Sequence, residues 1–342
     1  MLKYYRSSFI FSVVALIVGY IMGGLPIALI IGILGILETS LSFDNAVVNA
    51  SVLKNWDAVW RARFINWGLP VAVFGMRLAF PLLIVGVVAH LNPIEAISLA
   101  VSTPSQYEII LTSVHNQISA FGGAFLMLVF LNFFISDEKD THWIGIPEAA
   151  LASLSKFSYI SYILTFIMVA VTTQFIPQNE VLSFVLAGLA GISTYAIVQW
   201  LGSLVGGNDA SAIVKQGVVG LLYLELLDAS FSFDGVIAAF ALTNHIFVIM
   251  IGLSVGAMFV RSMTLHLVDK GTLAQFRWLE HGAFWAIGVL ACIMFLGPVI
   301  HISELFTGLV GAVAIGTALW SSMNANKTDA LGVREVATID FF

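Results

Sequence analysis

Long apolar stretches separated by short polar segments run along almost the whole chain. Many of them have the length of about 17–25 residues that a helix needs to cross the hydrocarbon core of a bilayer. This pattern predicts an all-α polytopic membrane protein in which residues 1–342 form a single transmembrane domain. About ten spanning helices are expected, near residues 7–23, 26–53, 66–90, 118–135, 157–176, 181–205, 213–241, 245–267, 282–300 and 304–322.

The composition supports lipid as the main solvent of the chain. Of its 342 residues, 59% are hydrophobic and only 10% are charged, which is more apolar surface than a soluble domain of this length could bury. A net charge of −6 provides no basic patch, which argues against nucleic-acid binding. Cys292, the only cysteine, lies in an apolar stretch and is expected to be a packing residue.

The distribution of Lys and Arg predicts the orientation of the chain. Apart from Arg77 and Arg261, every Lys and Arg falls on one side of the membrane if both termini are cytoplasmic. Cytoplasmic loops carry this positive excess in membrane proteins. The pattern therefore predicts a multi-pass protein of the cytoplasmic (inner) membrane, with residues 323–342 as a cytoplasmic tail.

Two segments of the chain repeat each other. The stretch "ETSLSFDN" that begins at Glu38 aligns with "DASFSFDG" that begins at Asp228, so that Asp44 aligns with Asp234. The copies begin on predicted helices two and seven, an odd separation, and so they should cross the membrane in opposite directions. Inverted repeats of this kind build transporters whose substrate sites lie near the midplane. The predicted repeats are helices 2–4, about 26–135, and helices 7–9, about 213–300.

Both copies place oxygen-bearing side chains at membrane depth, where each charge costs at least about 2.5–3.5 kcal/mol. Such a cost favours a function for the whole set. Carboxylate, hydroxyl and carboxamide oxygens without His or Cys are the ligands of hard divalent cations such as Mn²⁺, Mg²⁺ and Ca²⁺. We expect Arg77 and Arg261 to be counter-ions of the carboxylates or structural pins. The candidate metal ligands are Glu38, Asp44, Asn45, Asp228, Asp234, Glu225, Ser42 and Ser232.

Helical geometry leaves two arrangements open for the first copy. Glu38, Ser42, Asn45 and Asn49 share one stripe of a regular helix, whereas Asp44 lies on a second line about 120° away. Either the helix is interrupted near the motif, or the two lines face different neighbours across a central cavity. A regular helix would not point Glu38 and Asp44 at one atom.

Structural roles are the alternative for individual residues. A single intramembrane carboxyl group can be protonated and hydrogen-bonded to a neighbouring helix. Ser40 and Ser230 could simply bond the backbone four residues earlier. Phe43 and Phe233 are better explained by packing than by chemistry.

At these motifs the sequence resembles the TerC superfamily of membrane proteins. A first family motif, E-x-x-L-S-x-D-N, is matched from Glu38 to Asn45, and a second, E-x-x-D-x-x-F-x-x-D-S, from Glu225 to Asp234. Gly235 departs from the second motif, because a serine is common there. The resemblance covers roughly residues 25–300, and the longer segments 91–117 and 136–156 look like elaborations. It implies inverted helical repeats and a role in the efflux of divalent metals, chiefly manganese, or in tellurite resistance.

The leading hypothesis is a transporter that exports a hard divalent cation, with Mn²⁺ as the favoured one. Export of the metal could be coupled to the import of protons. The partners expected are the lipid bilayer and the cation as substrate, with no permanently bound cofactor, and a homo-oligomer is left open. The alternative is a membrane scaffold that assists assembly or a tellurite-type stress response. No GxSxG, HExxH or P-loop motif is present, so an enzyme is not expected.

Overall fold

The protein is described by a computed structural model that covers residues 2–68, 71–136, 141–206, 217–300, 302 and 304–339. These residues form helices and connecting segments, with no β-strand among them. Two π-helical segments, Phe64–Gly68 and Val71–Ala79, precede α4. The α-helices are α1 Leu2–Leu41, α2 Phe43–Leu53, α3 Ala58–Arg63, α4 Phe80–Val88, α5 Pro93–Ser102, α6 Pro104–Ser113, α7 His115–Phe134, α8 Gly145–Ser153, α9 Ile160–Thr172, α10 Val181–Gly206, α11 Val218–Phe240, α12 Ile246–Asp269, α13 Thr272–Gln275, α14 Leu279–Leu296 and α15 Glu304–Ile339.

The helical lengths and apolar composition are those of a multi-pass membrane protein. Among the described residues, six helices are long and apolar enough to cross a bilayer, namely α1, α7, α10, α12, α14 and α15. The number rises to eight if each of two bent helix pairs is one span. These pairs are Arg77–Val88 with α5, bent by 103°, and Gly145–Lys156 with α9, bent by 112°. The predicted count of ten is not confirmed.

Two interruptions divide the first 53 residues. Gly23 and Gly24 have non-helical backbone angles inside α1, and the positive φ of 72° at Gly24 is one that glycine adopts without strain. This position agrees with the predicted boundary between the first two helices. A second interruption falls at Ser42, between α1 and α2, where φ is −100° and ψ is 22°. Of the two arrangements left open by the sequence, the structure therefore has the interrupted helix.

The core of the bundle is built on α7, α12 and α14, which are mostly buried, while much of α1, α10 and α15 is exposed. Small residues allow these helices to approach closely. A Cβ atom on Gly191 of α10 would overlap the backbone of Phe121 on α7, and one on Gly252 of α12 would lie 2.6 Å from Leu34 Cβ on α1. The half of α1 that carries Glu38 is thereby packed against α12.

The segments expected to be elaborations fold into short helices. Asn92 and Glu95 form a reciprocal capping box at the start of α5. On the other elaboration, the buried carboxylate of Glu148 on α8 accepts hydrogen bonds from the Trp143 backbone N–H at 2.8 Å and from Trp285 Nε1 at 2.9 Å. Helix α15 continues through most of the predicted tail, as far as Ile339.

Candidate functional site

A buried ionic centre joins the two repeated motifs. Arg77 lies in the π-helical segment Val71–Ala79, and its Nη2 contacts Glu38 Oε1 on α1. Its Nη1 lies 3.8 Å from Asp228 Oδ2 on α11. The side chains of Arg77, Glu38 and Asp228 are only 2%, 3% and 15% exposed, so the guanidinium neutralises charges that have little access to solvent. π-Helical segments within helices are frequent at functional sites.

Two glycines hold the side chain of Glu38 in place. Gly256 on α12 packs against the Cβ and Cγ atoms of Glu38, and a Cβ atom on Gly256 would overlap both. Gly235 on α11 faces the carboxylate, and a Cβ atom there would lie 3.0 Å from Glu38 Oε2. Gly235 is the position at which the second motif departs from the TerC pattern. A serine side chain there would have to occupy space next to Glu38 Oε2.

A first cavity of about 50 Å³ adjoins the ionic centre. Its polar walls are formed by oxygen-bearing side chains of α1, α2 and the interruption between them. Ser42 Oγ donates a hydrogen bond to Glu38 Oε1 at 3.2 Å, and Asp44 Oδ1 accepts one from the Asn45 backbone N–H at 3.0 Å. Asn45 Oδ1 is buried and has no hydrogen-bond partner among the described residues. The polar residues that line the first cavity are Glu38, Ser42, Asp44, Asn45 and Thr307.

Helix α15 closes the first cavity, a contribution that was not predicted from the sequence. Gly308 packs against Leu41, and a Cβ atom on Gly311 would lie 3.2 Å from Asp44 Oδ2. The signal that could have revealed this wall is the pair of small residues Gly308 and Gly311, one helical turn apart, because such pairs allow close helix packing. Thr307 adds a hydroxyl group to the wall.

A second cavity of about 40 Å³ is lined by Arg77 and Asp228 of the ionic centre. Glu225 Oε2 and Arg261 Nε are buried there without hydrogen-bond partners among the described residues. Ser42 lines both cavities. The residues that line the second cavity are Ser42, Asn49, Phe64, Arg77, Leu224, Glu225, Asp228, Ala257, Val260, Arg261 and Thr264.

The structure thus divides the predicted ligands between two cavities. Glu38, Asp44 and Asn45 line the first, Glu225 and Asp228 line the second, and Ser42 lines both. The predicted ligands Ser232 and Asp234 have side chains outside the described part of the structure. Within the described part, no group of three or more His, Cys, Asp or Glu side chains is arranged to hold a metal ion.

The structure also shows the contacts of the two predicted counter-ions and of the serines Ser40 and Ser230. Arg77 forms the ion pair with Glu38, whereas Arg261 lines the second cavity. Ser40 and Ser230, which were open to a purely structural interpretation, bond their own helices. Ser40 Oγ donates to the Ile36 carbonyl at 2.8 Å and Ser230 Oγ to the Leu226 carbonyl at 2.9 Å.

The fold and the site define the class of the protein: a helical multi-pass membrane protein with a buried ionic centre next to two small cavities that are lined in part by carboxyl groups. The family model described as protein of unknown function, DUF475, matches residues 43–329. The chain therefore belongs to the DUF475 family. The matched residues include Asp44, Arg77 and Asp228, while Glu38 precedes them. Searches of curated proteins and of solved structures found no match.

Proposed function

We propose that this protein is a transporter that exports a hard divalent cation across the cytoplasmic membrane, with Mn²⁺ as the favoured cargo. The first cavity is the cation site, with Glu38, Asp44 and Asn45 as principal ligands and Ser42 as an auxiliary one. Asp228 and Glu225 act from the second cavity, and exchange for protons is the coupling that we propose.

The observation that supports this proposal best is the chemistry of the first cavity. Its polar lining consists of carboxylate, hydroxyl and carboxamide oxygens, the donor types that hard cations select. The amide oxygen of Asn45 is buried without a hydrogen-bond partner among the described residues, which is costly for a polar atom. A cation in the first cavity would give this oxygen a partner.

Charge balance favours a divalent cargo. Around the two cavities the described side chains include the carboxyl groups of Glu38, Asp44, Glu225 and Asp228. Two guanidinium groups, those of Arg77 and Arg261, line the second cavity. When all of these groups are ionised, the described side chains carry two more negative than positive charges, an excess that a divalent cation in the first cavity would offset. The small number of carboxylates in the first cavity suits transport, because a transported ion must also be released.

The repeat and the topology are part of the same proposal. We propose ten spans in two inverted repeats, with both termini in the cytoplasm. The ion pair from Glu38 of the first motif to Arg77, which also lies 3.8 Å from Asp228 of the second motif, supports a shared site at the repeat interface.

The test is metal flux into proteoliposomes loaded with a Mn²⁺-sensitive dye. The native protein should give flux, and Asp44→Asn, which removes the charge but keeps the size, should lower the rate by about tenfold or more. Asp269→Asn is the matched control, because Asp269 is exposed at the end of α12, and its rate should equal the native one.

The same experiment separates transport from the scaffold alternative. A scaffold would give no flux, and its acidic motif variants would fail in assembly with other proteins while cellular metal content stayed unchanged. Native protein that is inserted and folded but carries no Mn²⁺, Mg²⁺ or Ca²⁺ would contradict the transport proposal.

A further inference from the structure

We propose that Arg77 is a tethered competitor of the cargo cation, which must leave Glu38 before a cation can bind there. This competition makes the first cavity selective for divalent over monovalent cations. The inference rests on the function proposed above, and it assigns the origin of cargo selectivity to a residue that does not bind the cargo.

The competition arises because Arg77 and a cation in the first cavity need the same carboxylate. The guanidinium contacts Glu38 Oε1, and Ser42 Oγ lies 3.2 Å from that oxygen. Glu38 itself has little freedom to turn elsewhere. Its Cβ and Cγ atoms pack against Gly256, so the stem of the side chain cannot shift toward α12.

Arg77, in contrast, has a second partner and space to reach it. Its Nη1 already lies 3.8 Å from Asp228 Oδ2, and the second cavity, about 40 Å³ in volume, opens on that side. The π-helical segment Val71–Ala79 carries Arg77, and a change of this segment toward regular α-helix would shift the side chain relative to Glu38. The guanidinium can therefore transfer from Glu38 to Asp228 without being left unpaired.

The selectivity follows from electrostatics. A monovalent cation that displaces the guanidinium from Glu38 replaces one positive charge with another, so its attraction to the carboxylates gains nothing. A divalent cation brings one charge more to the same place, where Asp44 supplies a second carboxylate. Arg77 thus excludes monovalent ions while it leaves the site open to divalent ones.

The experiment measures Mn²⁺ binding to the purified protein by calorimetry, in Na⁺, K⁺ or N-methylglucamine chloride at constant ionic strength. The native affinity should be the same in the three salts. In Arg77→Gln, Na⁺ and K⁺ should compete, so that Mn²⁺ affinity is about tenfold weaker in these salts than in N-methylglucamine. Arg77→Lys retains the charge and should retain the native insensitivity to the salt.

Arg63→Gln is the matched control, since it removes an exposed guanidinium at the end of α3 that lines neither cavity. Its Mn²⁺ binding should be as insensitive to Na⁺ and K⁺ as that of the native protein. Folded Arg77→Gln with equal Mn²⁺ affinity in all three salts would overturn the inference. Native protein that binds no Mn²⁺ in any salt would instead overturn the proposed function.

A measurement on the native protein covers the case in which Arg77→Gln does not fold. Saturating Mn²⁺ should change amide hydrogen exchange in Val71–Ala79, because the segment moves with Arg77. Unchanged exchange in this segment at full Mn²⁺ occupancy would show that Arg77 stays on Glu38, and it would overturn the inference.

Discussion

Gly256 on α12 lies directly against the side-chain stem of Glu38 on α1, so that a single added methyl group would overlap the glutamate. The contact places the carboxylate between Arg77 and Ser42. A glycine with no chemistry of its own thereby positions the charged centre of the site.

The first prediction concerns this contact. Gly256→Ala should displace Glu38 and lower Mn²⁺ flux by about tenfold or more, because buried helix contacts tolerate an extra methyl group poorly. Gly32→Ala is the control: Gly32 lies in α1, the helix that carries Glu38, but the nearest neighbour of an added Cβ atom would be at an ordinary 3.7 Å. Equal flux in Gly256→Ala and native liposomes would show that the position of Glu38 does not matter.

Two serines of the first motif provide a matched pair. Ser42 Oγ donates to Glu38 Oε1 in the first cavity, whereas Ser40 Oγ is exposed and donates to a backbone carbonyl of its own helix. Ser42→Ala should raise the KM for Mn²⁺ by about tenfold, the effect of losing roughly 1–1.5 kcal/mol of hydrogen bonding. Ser40→Ala should leave KM unchanged. The opposite order of effects would contradict the cation site proposed in the first cavity.

Removing one partner of the buried ion pair should destabilise the bundle. Glu38→Gln removes the carboxylate that pairs with the Arg77 guanidinium, which also lies 3.8 Å from Asp228. Breaking such a pair costs about 3–5 kcal/mol, measurable as the free energy of unfolding in mixed detergent micelles. Glu38→Gln combined with Arg77→Met should be less destabilised than Glu38→Gln alone. A double variant whose loss equals the sum of the two single losses would mean that the charges do not interact.

A separate carboxylate should hold α8 against the bundle. Glu148 is fully buried, and it accepts hydrogen bonds from Trp143 and Trp285. Glu148→Ala leaves these donors unsatisfied and should raise amide exchange in Gly145–Ser153 by about tenfold or more. Ser153→Ala, at an exposed hydroxyl in the same helix, should not. Native protection of α8 in Glu148→Ala would show that apolar packing alone holds it.

The orientation can be tested because the chain has a single cysteine. In a Cys292→Ala background, Gln106→Cys should react with a membrane-impermeant maleimide from outside intact cells. Asp269→Cys should react only after the membrane is permeabilised. Both positions are exposed, so the reverse pattern would invert the topology predicted from the Lys and Arg distribution.

The break between the first two helices was predictable because Gly23, Gly24 and Pro26 interrupt an apolar run, and glycine and proline act on the local backbone. The membrane class was predictable for a similar reason, since lipid contact requires long apolar helices whatever their arrangement. The span count was harder to predict. Helix α11 carries three acidic residues, Glu225, Asp228 and Asp234. A bent pair such as α4 with α5 can be interpreted from its sequence either as one span or as two.

The members of the candidate site were largely visible in the sequence, because carboxylates at membrane depth stand out against apolar neighbours. Their partners were not visible. The interruption at Ser42 was one of two open arrangements, and the wall formed by Gly308 and Gly311 lies far along the chain from Asp44. Close helix packing depends on which faces meet, and small residues are too common in such helices to specify it.

By itself the sequence determined that this chain is helical and has the composition of a membrane protein. It also determined which polar residues are costly to place at membrane depth. Composition and local periodicity suffice for that, because each apolar helix satisfies its own backbone hydrogen bonds in lipid. Only the tertiary structure decided that Arg77 pairs with Glu38 and that the acidic residues line two cavities. Those choices depend on how α1, α11, α12 and α15 pack together, and a charge at membrane depth can pair only with a group that packing brings beside it.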